Sequence, residues 1–201
     1  MELLLHACCA PCLSGSRIPY EEGGYDVKGF WYNPNIQPWK EYDSRLKDLE
    51  RYSILEPIEI VYDHQYPLLD MMLEMVKSLE SSVKNEHGAV MDLNDRRSRC
   101  KNCYQIRIKR CAQKASDLGV DAFSTTLLIS KYQNHDLVKE VCEEASERYG
   151  VKFPYRDLRK YWGRSLDSSR KLRLYRQQYC GCVFSEAERY EKEINAITGS
   201  D

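Results

Sequence analysis

The chain has 201 residues, a formal net charge of −1 and an apolar share of 42%, enough to bury the core of one substantial domain. No apolar run approaches the ~18 residues that span a bilayer, and the N-terminal run Leu3 to Leu5 is too short for a secretory signal, so a cytoplasmic location is expected. Nine cysteines, an odd number in a reducing compartment, exclude a disulfide framework and point to metal or redox chemistry.

In chain order, residues 2–7 read as a buried strand that runs into Cys8-Cys9-Ala10-Pro11-Cys12. A helix is predicted from Leu13 to about Tyr20, stopped by Gly23-Gly24, and a second strand over Asp26 to Tyr32. The prolines of Asn33-Pro34-Asn35-Ile36-Gln37-Pro38 break that strand. Trp39 to about Ile54 reads as an amphipathic helix with Tyr42, Leu46, Leu49 and Ser53 on one face. A third strand, Ile58 to Tyr62, precedes a helix over Pro67 to Glu80, whose stripe of Leu68, Met71, Met72, Met75, Val76 and Leu79 is expected to be core. Ser81 to Ser98 is polar and lacks periodicity, so it reads as a loop. It leads into Cys100-Lys101-Asn102-Cys103 and a helix ending at about Leu118 before Gly119. A fourth strand is predicted over Ala122 to Ile129, then a helix from Asn134 to about Tyr149, stopped by Gly150. After a short strand at Val151 to Phe153, the chain is basic and aromatic up to Cys180-Gly181-Cys182. A last helix, Ser185 to about Ile197, is marked by Ser185 with Glu188 three positions on. Strands alternating with helices imply a single α/β domain over 1–201, with a parallel sheet flanked by helices.

Seven of the nine cysteines cluster: Cys8, Cys9 and Cys12; Cys100 and Cys103; Cys180 and Cys182. Cys142 shares a helix face with Val138, Val141 and Ala145 and reads as core. At about 1.5 Å rise per residue, Cys111 lies about 16 Å along its helix from Cys100, too far for one small cluster, so it too reads as core. Cys100 and Cys103 sit on one face of a helix start, where the helix dipole with Arg97, Arg99 and Lys101 is expected to favour thiolate. Cys8, Cys9, Cys100 and Cys103 would make a four-thiolate site suited to a 4Fe-4S cluster, or Cys12 could replace one of them. Surplus thiols leave room for an additional mononuclear iron. Cys180 and Cys182 read either as a redox-active dithiol or as further ligands. His6 reads equally as a ligand or as the residue closing a core strand.

Charge is unevenly spread. Arg96 to Arg110 holds seven basic residues and no acidic one, and Tyr155 to Gln178 holds eight basic and two acidic. Such patches on an otherwise acidic chain fit a polyanionic partner. Segment 155–179 interleaves Arg170, Lys171, Arg173 and Arg176 with Tyr161, Trp162, Tyr175 and Tyr179, and the charge pattern favours a nucleic acid as that partner.

With these motifs assembled, the chain resembles the QueH family of epoxyqueuosine reductases. The resemblance rests on His6-Ala7-Cys8-Cys9-Ala10-Pro11-Cys12; Tyr32-Asn33-Pro34-Asn35-Ile36 with Glu41-Tyr42 and Arg45; Cys100-Lys101-Asn102-Cys103-Tyr104 with Arg107; Thr125-Thr126-Leu127-Leu128; and Tyr175 to Cys182. It implies a fold like the adenine-nucleotide α-hydrolase (HUP, PP-loop) group, with cysteines where those enzymes carry a glycine-rich phosphate loop. It implies reductive deoxygenation of the epoxide of epoxyqueuosine in tRNA to the alkene, without cobalamin and with a separate, unidentified electron donor. It implies a 4Fe-4S cluster on Cys8, Cys9, Cys100 and Cys103 and a redox-active pair at Cys180 and Cys182. Cys12, left over beside them, is then the candidate contact for a second metal. Two other readings compete: an iron–sulfur tRNA sulfur-transfer enzyme of the PP-loop type, and a zinc-stabilised RNA-binding module.

Overall fold

The protein is described from a computed structural model covering residues 1–82 and 96–199. Strands β1 (Glu2–His6), β2 (Asp26–Trp31), β3 (Ile60–Tyr62) and β4 (Ala122–Thr125) form a parallel sheet in the order β3-β2-β1-β4. β1 lies at the centre, with Leu5 opposite Gly29 on one side and Ser124 on the other. Leu3, Leu4 and Leu5 are fully buried, as expected for a continuous apolar strand covered on both faces. The α/β architecture expected from the sequence is therefore present, and it is compatible with a HUP-like fold.

Strand order determines where a ligand can enter. The chain builds outward from β1 through β2 to β3, then returns to place β4 on the opposite side of β1. The crevice at the carboxyl ends of β1 and β4 is thus the topological switch point, the usual binding position in open α/β sheets. The turn after β1 carries Cys8 and Cys9, and the turn after β4 carries Thr126.

Several boundaries differ from the sequence expectations for identifiable reasons. Helix α1 (Ala10–Ser16) begins before Leu13 because Cys9 caps it through its sulfur, which accepts from the Cys12 amide at 3.2 Å, and Pro11 suits the first turn. It does not continue to Tyr20. Pro19, which lacks an N–H, opens a separate short helix α2 (Ile18–Glu22). β4 stops at Thr125, whose Oγ1 accepts from the Leu127 amide at 3.2 Å and turns residues Thr126–Ile129 into a 3-10 helix. The strand predicted at 151–153 is reduced to a single bridge between Lys152 and Ala122.

Helix α3 (Trp39–Leu55) buries Tyr42 and Leu49 as expected, but also Glu41, Arg45 and Asp48. On α4 (Leu68–Ser82), Met71 and Met75 are core whereas Leu68 is 41% exposed; the side chains of Val76 and Leu79 lie outside the described residues. Of the loop expected over 81–98, positions 83–95 lie outside the described residues, and its two ends are helical. Helix α5 (Arg96–Leu118) packs on β1 and β4, with α6 (His135–Tyr149) against it.

The basic segment contains an unexpected helix, α7 (Trp162–Lys171), packed on α1. Its buried face is Ser165 and Ser169, small polar residues with no apolar signature. The contact requires glycine at position 15, where a Cβ would come within 2.9 Å of Ser165 Cβ and 3.1 Å of the Tyr161 carbonyl. The single C-terminal helix resolves into α8 (Val183–Arg189) and α9 (Glu191–Thr198). Ser185 does not cap it: its hydroxyl accepts from the Gly181 amide at 3.1 Å and donates to the Cys182 carbonyl at 2.8 Å, while Glu188 pairs with Arg99 at 3.1 Å.

Candidate metal and substrate site

Cys8, Cys9 and Cys12 meet at the switch point, buried, with their Sγ atoms all within 4.8 Å of one another. Among the described residues no other set of three His, Cys, Asp or Glu donors is as close, and soft thiolates at this spacing can hold a metal ion. Thr126 links the turns after β1 and β4: its hydroxyl donates to Cys8 Sγ at 3.3 Å and accepts from the Cys8 amide at 3.1 Å. Thiols of Cys12 and Cys9 donating to it hold Cys8 well below the usual thiol range. Burial pushes Cys9 up, and the hydrogen bond that Cys12 gives to Cys8 pushes Cys12 up.

His6 settles into the structural alternative. It is fully buried, with Nδ1 3.0 Å from Thr125 Oγ1 and Nε2 3.2 Å from the Tyr32 carbonyl, and burial lowers its pKa to about 4. Cys111 and Cys142 are fully buried in the core, with Cys111 Sγ 3.8 Å from the Leu4 carbonyl.

Cys100 and Cys103 of α5 and Cys180 and Cys182 of the C-terminal segment line one small cavity of about 40 Å³. Seven clustered cysteines therefore fall into a trio at the switch point and a quartet beside it. The expected ionisation of Cys100 and Cys103 is reversed. Burial pushes both up, Cys103 to about 12, outweighing the opposing pull of Arg107 on Cys103, and two of the helix-start cations are committed elsewhere, Arg99 to Glu188 at 3.1 Å and Lys101 to Glu140 at 2.6 Å. Three buried donors at the same small cavity lack partners: Asn35 Nδ2, Arg99 Nε and Arg107 Nη2. Unpartnered N–H groups around clustered thiols fit an anionic metal–sulfur group, which would accept from them.

A strap of chain holds the Cys180-Gly181-Cys182 corner in place. Arg45, 1% exposed, binds Glu41 at 2.7 Å and donates to the carbonyls of Cys180 and Tyr179, each at 3.0 Å. Glu41 also accepts from the Tyr175 hydroxyl, and Asp48 accepts from the Tyr175 amide at 2.9 Å. Tyr179 donates to the Gln37 carbonyl at 2.8 Å, and the Gln37 amide donates to Gly181 at 2.6 Å. Gly181 has φ +134°, a conformation that favours glycine. The strap touches the trio directly, since Gln177 Nε2 donates to Cys9 Sγ at 3.3 Å.

Above the thiols opens a cavity of about 940 Å³. Cys8, Cys12, Arg107 and Cys180 belong to its lining, as do basic Arg96, Arg176 and Arg189 and aromatic Tyr132, Trp162 and Tyr179. Arg170, Lys171 and Arg173 are exposed on the same basic segment. The two basic runs of the sequence thus differ in kind. The charges of 96–110 are largely paired within the fold, Arg110 with Asp63 at 2.8 Å in addition to those above, whereas those of 164–176 largely face solvent. Tyr132, Gln133 and Arg189 carried no signal in the sequence; tertiary packing alone brings them to the cavity.

The sequence that builds this site has relatives among known proteins. The sequence model of the family described as "Epoxyqueuosine reductase QueH" matches residues 3–188. Proteins of that name from Dehalococcoides mccartyi, Thermotoga maritima and Acinetobacter baylyi are 37%, 34% and 33% identical, over 95%, 94% and 92% of this chain and 96%, 93% and 80% of their own lengths. Every cysteine cluster, the small cavity and all of the large cavity's lining but Arg189 lie within the matched span, and the chain belongs to the QueH family of epoxyqueuosine reductases.

Proposed function

We propose that the protein reduces the epoxide of epoxyqueuosine in tRNA to the alkene of queuosine, in the cytoplasm, as a single α/β domain over 1–201 in which 155–179 serves as the tRNA-binding segment. The observation that carries this reading is the cavity with thiols in its lining beside a basic and aromatic wall. Its volume suits a nucleoside swung out of a single-stranded loop, the usual target of sequence-specific RNA recognition. Arg170, Lys171, Arg173 and Arg176 would meet phosphates, and Tyr179 and Trp162 would border the base.

The resemblance assigns a 4Fe-4S cluster to Cys8, Cys9, Cys100 and Cys103, two thiols from each group, with Cys12 available to an additional mononuclear iron. Bound there, such a centre supplies single electrons and a Lewis acid for the epoxide oxygen. The chain's own residues do the rest. Cys180 and Cys182 form a two-electron reservoir: closing a disulfide releases two electrons and two protons, which balances loss of the epoxide oxygen as water. A separate electron donor must then reopen it. Arg45 and Glu41 fix the corner that carries Cys180, and Thr126 and Gln177 orient Cys8 and Cys9 by hydrogen bonds to sulfur.

The shared small cavity favours a second ligand assignment, in which Cys100, Cys103, Cys180 and Cys182 make one four-thiol centre. Cys180→Ser separates the two: it keeps the metal and stops turnover in the first, and loses the metal in the second. The reaction itself is tested by anaerobic incubation of reconstituted protein and reductant with tRNA carrying epoxyqueuosine. Loss of one oxygen from the anticodon-loop fragment, by mass, is expected. Unchanged substrate, or incorporation of sulfur dependent on ATP, would overturn it.

A further inference from the structure

Arg45, Arg99 and Arg107 are the buried arginines among the described residues. Arg45 faces Glu41 at 2.7 Å and Arg99 faces Glu188 at 3.1 Å. Arg107 is 1% exposed and has no carboxylate within ion-pair distance among the described residues. Its Nε donates to the Cys103 carbonyl one turn back at 3.1 Å, its guanidinium carbon lies 6.0 Å from the Tyr104 ring centre, and Nη2 has no partner. An unpaired buried cation stays desolvated without compensation even after relaxation, a larger penalty than most single substitutions impose. A fold that keeps one here has an anion for it to meet.

The surroundings name that anion. Arg107 lines both the small cavity of the Cys100, Cys103, Cys180 and Cys182 quartet and the large cavity that Cys8 and Cys12 border. Cys103, Cys180 and Cys8, members of both thiol groups, are in that order the groups that would act on it most once ionised, as they are when they ligate a metal. No acidic side chain competes among them.

Resting on the metal-centre reading above, we propose that Arg107 is the counter-charge of that centre: its guanidinium faces both thiol groups, its free Nη2 donates to sulfur, and together they raise the centre's reduction potential. Charge and hydrogen bonds to sulfur set such potentials, and both act more strongly in a low-dielectric interior. The role survives either ligand assignment, because Cys103 belongs to both and Arg107 faces Cys8 and Cys180 as well. It tunes the metal centre and need not touch substrate.

The test is a redox titration, followed by optical and electron paramagnetic resonance spectra, of reconstituted wild type, Arg107→Gln and Arg107→Lys. The glutamine variant keeps an N–H donor but loses the charge. A loaded Arg107→Gln with its midpoint lowered by at least tenfold in the reduction equilibrium, about 59 mV for one electron, supports the proposal when Arg107→Lys stays nearer wild type. A loaded Arg107→Gln with an unchanged midpoint overturns it. Should Arg107→Gln fail to take up metal, the lysine variant decides. Wild-type loading of Arg107→Lys means that charge is the requirement, whereas loss of metal there too makes Arg107 a packing residue and overturns the proposal. Wild-type protein that holds no iron–sulfur centre defeats the metal-centre reading itself, a result separate from either.

Discussion

Arg45→Met removes the cation that holds the Cys180 corner while keeping much of the side-chain volume. It leaves Glu41, 8% exposed, with the Tyr175 hydroxyl but no positive charge, and strips a donor from two backbone carbonyls. Breaking a buried pair from one side costs about 3–5 kcal/mol, because the remaining charge stays desolvated. For a domain of this size that is a fall of about 6–20 °C in Tm. The double variant Glu41→Gln with Arg45→Met removes the stranded charge and should recover at least about half of the loss. Urea unfolding of the reduced protein, followed by circular dichroism, measures both. The rate at which a thiol reagent modifies Cys180 reports release of the strap, and it should rise in the single variant. A single-variant loss below about 1 kcal/mol would mean that Arg45 and Glu41 behave as an exposed pair and do not hold the Cys180 corner.

Other expectations follow from the same contacts. Gly181→Ala places a Cβ 3.1 Å from Ile36 Cγ1 and 3.4 Å from the Arg45 guanidinium at φ +134°, which should lower stability by about 1–3 kcal/mol and slow turnover; an unchanged unfolding midpoint and rate would contradict this. Lys171→Ala and Arg176→Ala should each weaken tRNA binding and reduce its slope against log salt by about 0.7 per lost phosphate contact, and an unaltered slope removes that residue from the interface. Cys111→Ala should leave iron content intact and lower stability by about 1 kcal/mol, since its sulfur lies in the core near the Leu4 and Ser124 carbonyls; loss of iron would make it a ligand.

What could be read from the sequence was what is local. The apolar run of β1, the glycine stop of α6 and the cysteine clusters depend on neighbours within a few residues, and each stands where the pattern indicated. What could not be read depends on distant partners. Glu41, Arg45 and Asp48 look like the wet face of α3 until the strap 172–181 lies on them. Arg99, Lys101 and Arg110 look like a polyanion footprint until Glu188, Glu140 and Asp63 arrive from elsewhere in the chain. Helix α7 hides because its buried face is serine fitted to Gly15, a close approach made by small polar residues rather than large apolar ones. The split of the thiols into a trio and a quartet is likewise a property of the sheet order, which brings the end of β4 beside the end of β1, and of the strap.

Elemental and sulfide analysis of protein purified under strict anaerobiosis decides whether these thiols hold an iron–sulfur centre. Iron is expected together with acid-labile sulfide, both lost in Cys103→Ala and retained in Cys142→Ala. Zinc without iron or sulfide, or metal content indifferent to Cys103, would rule such a centre out.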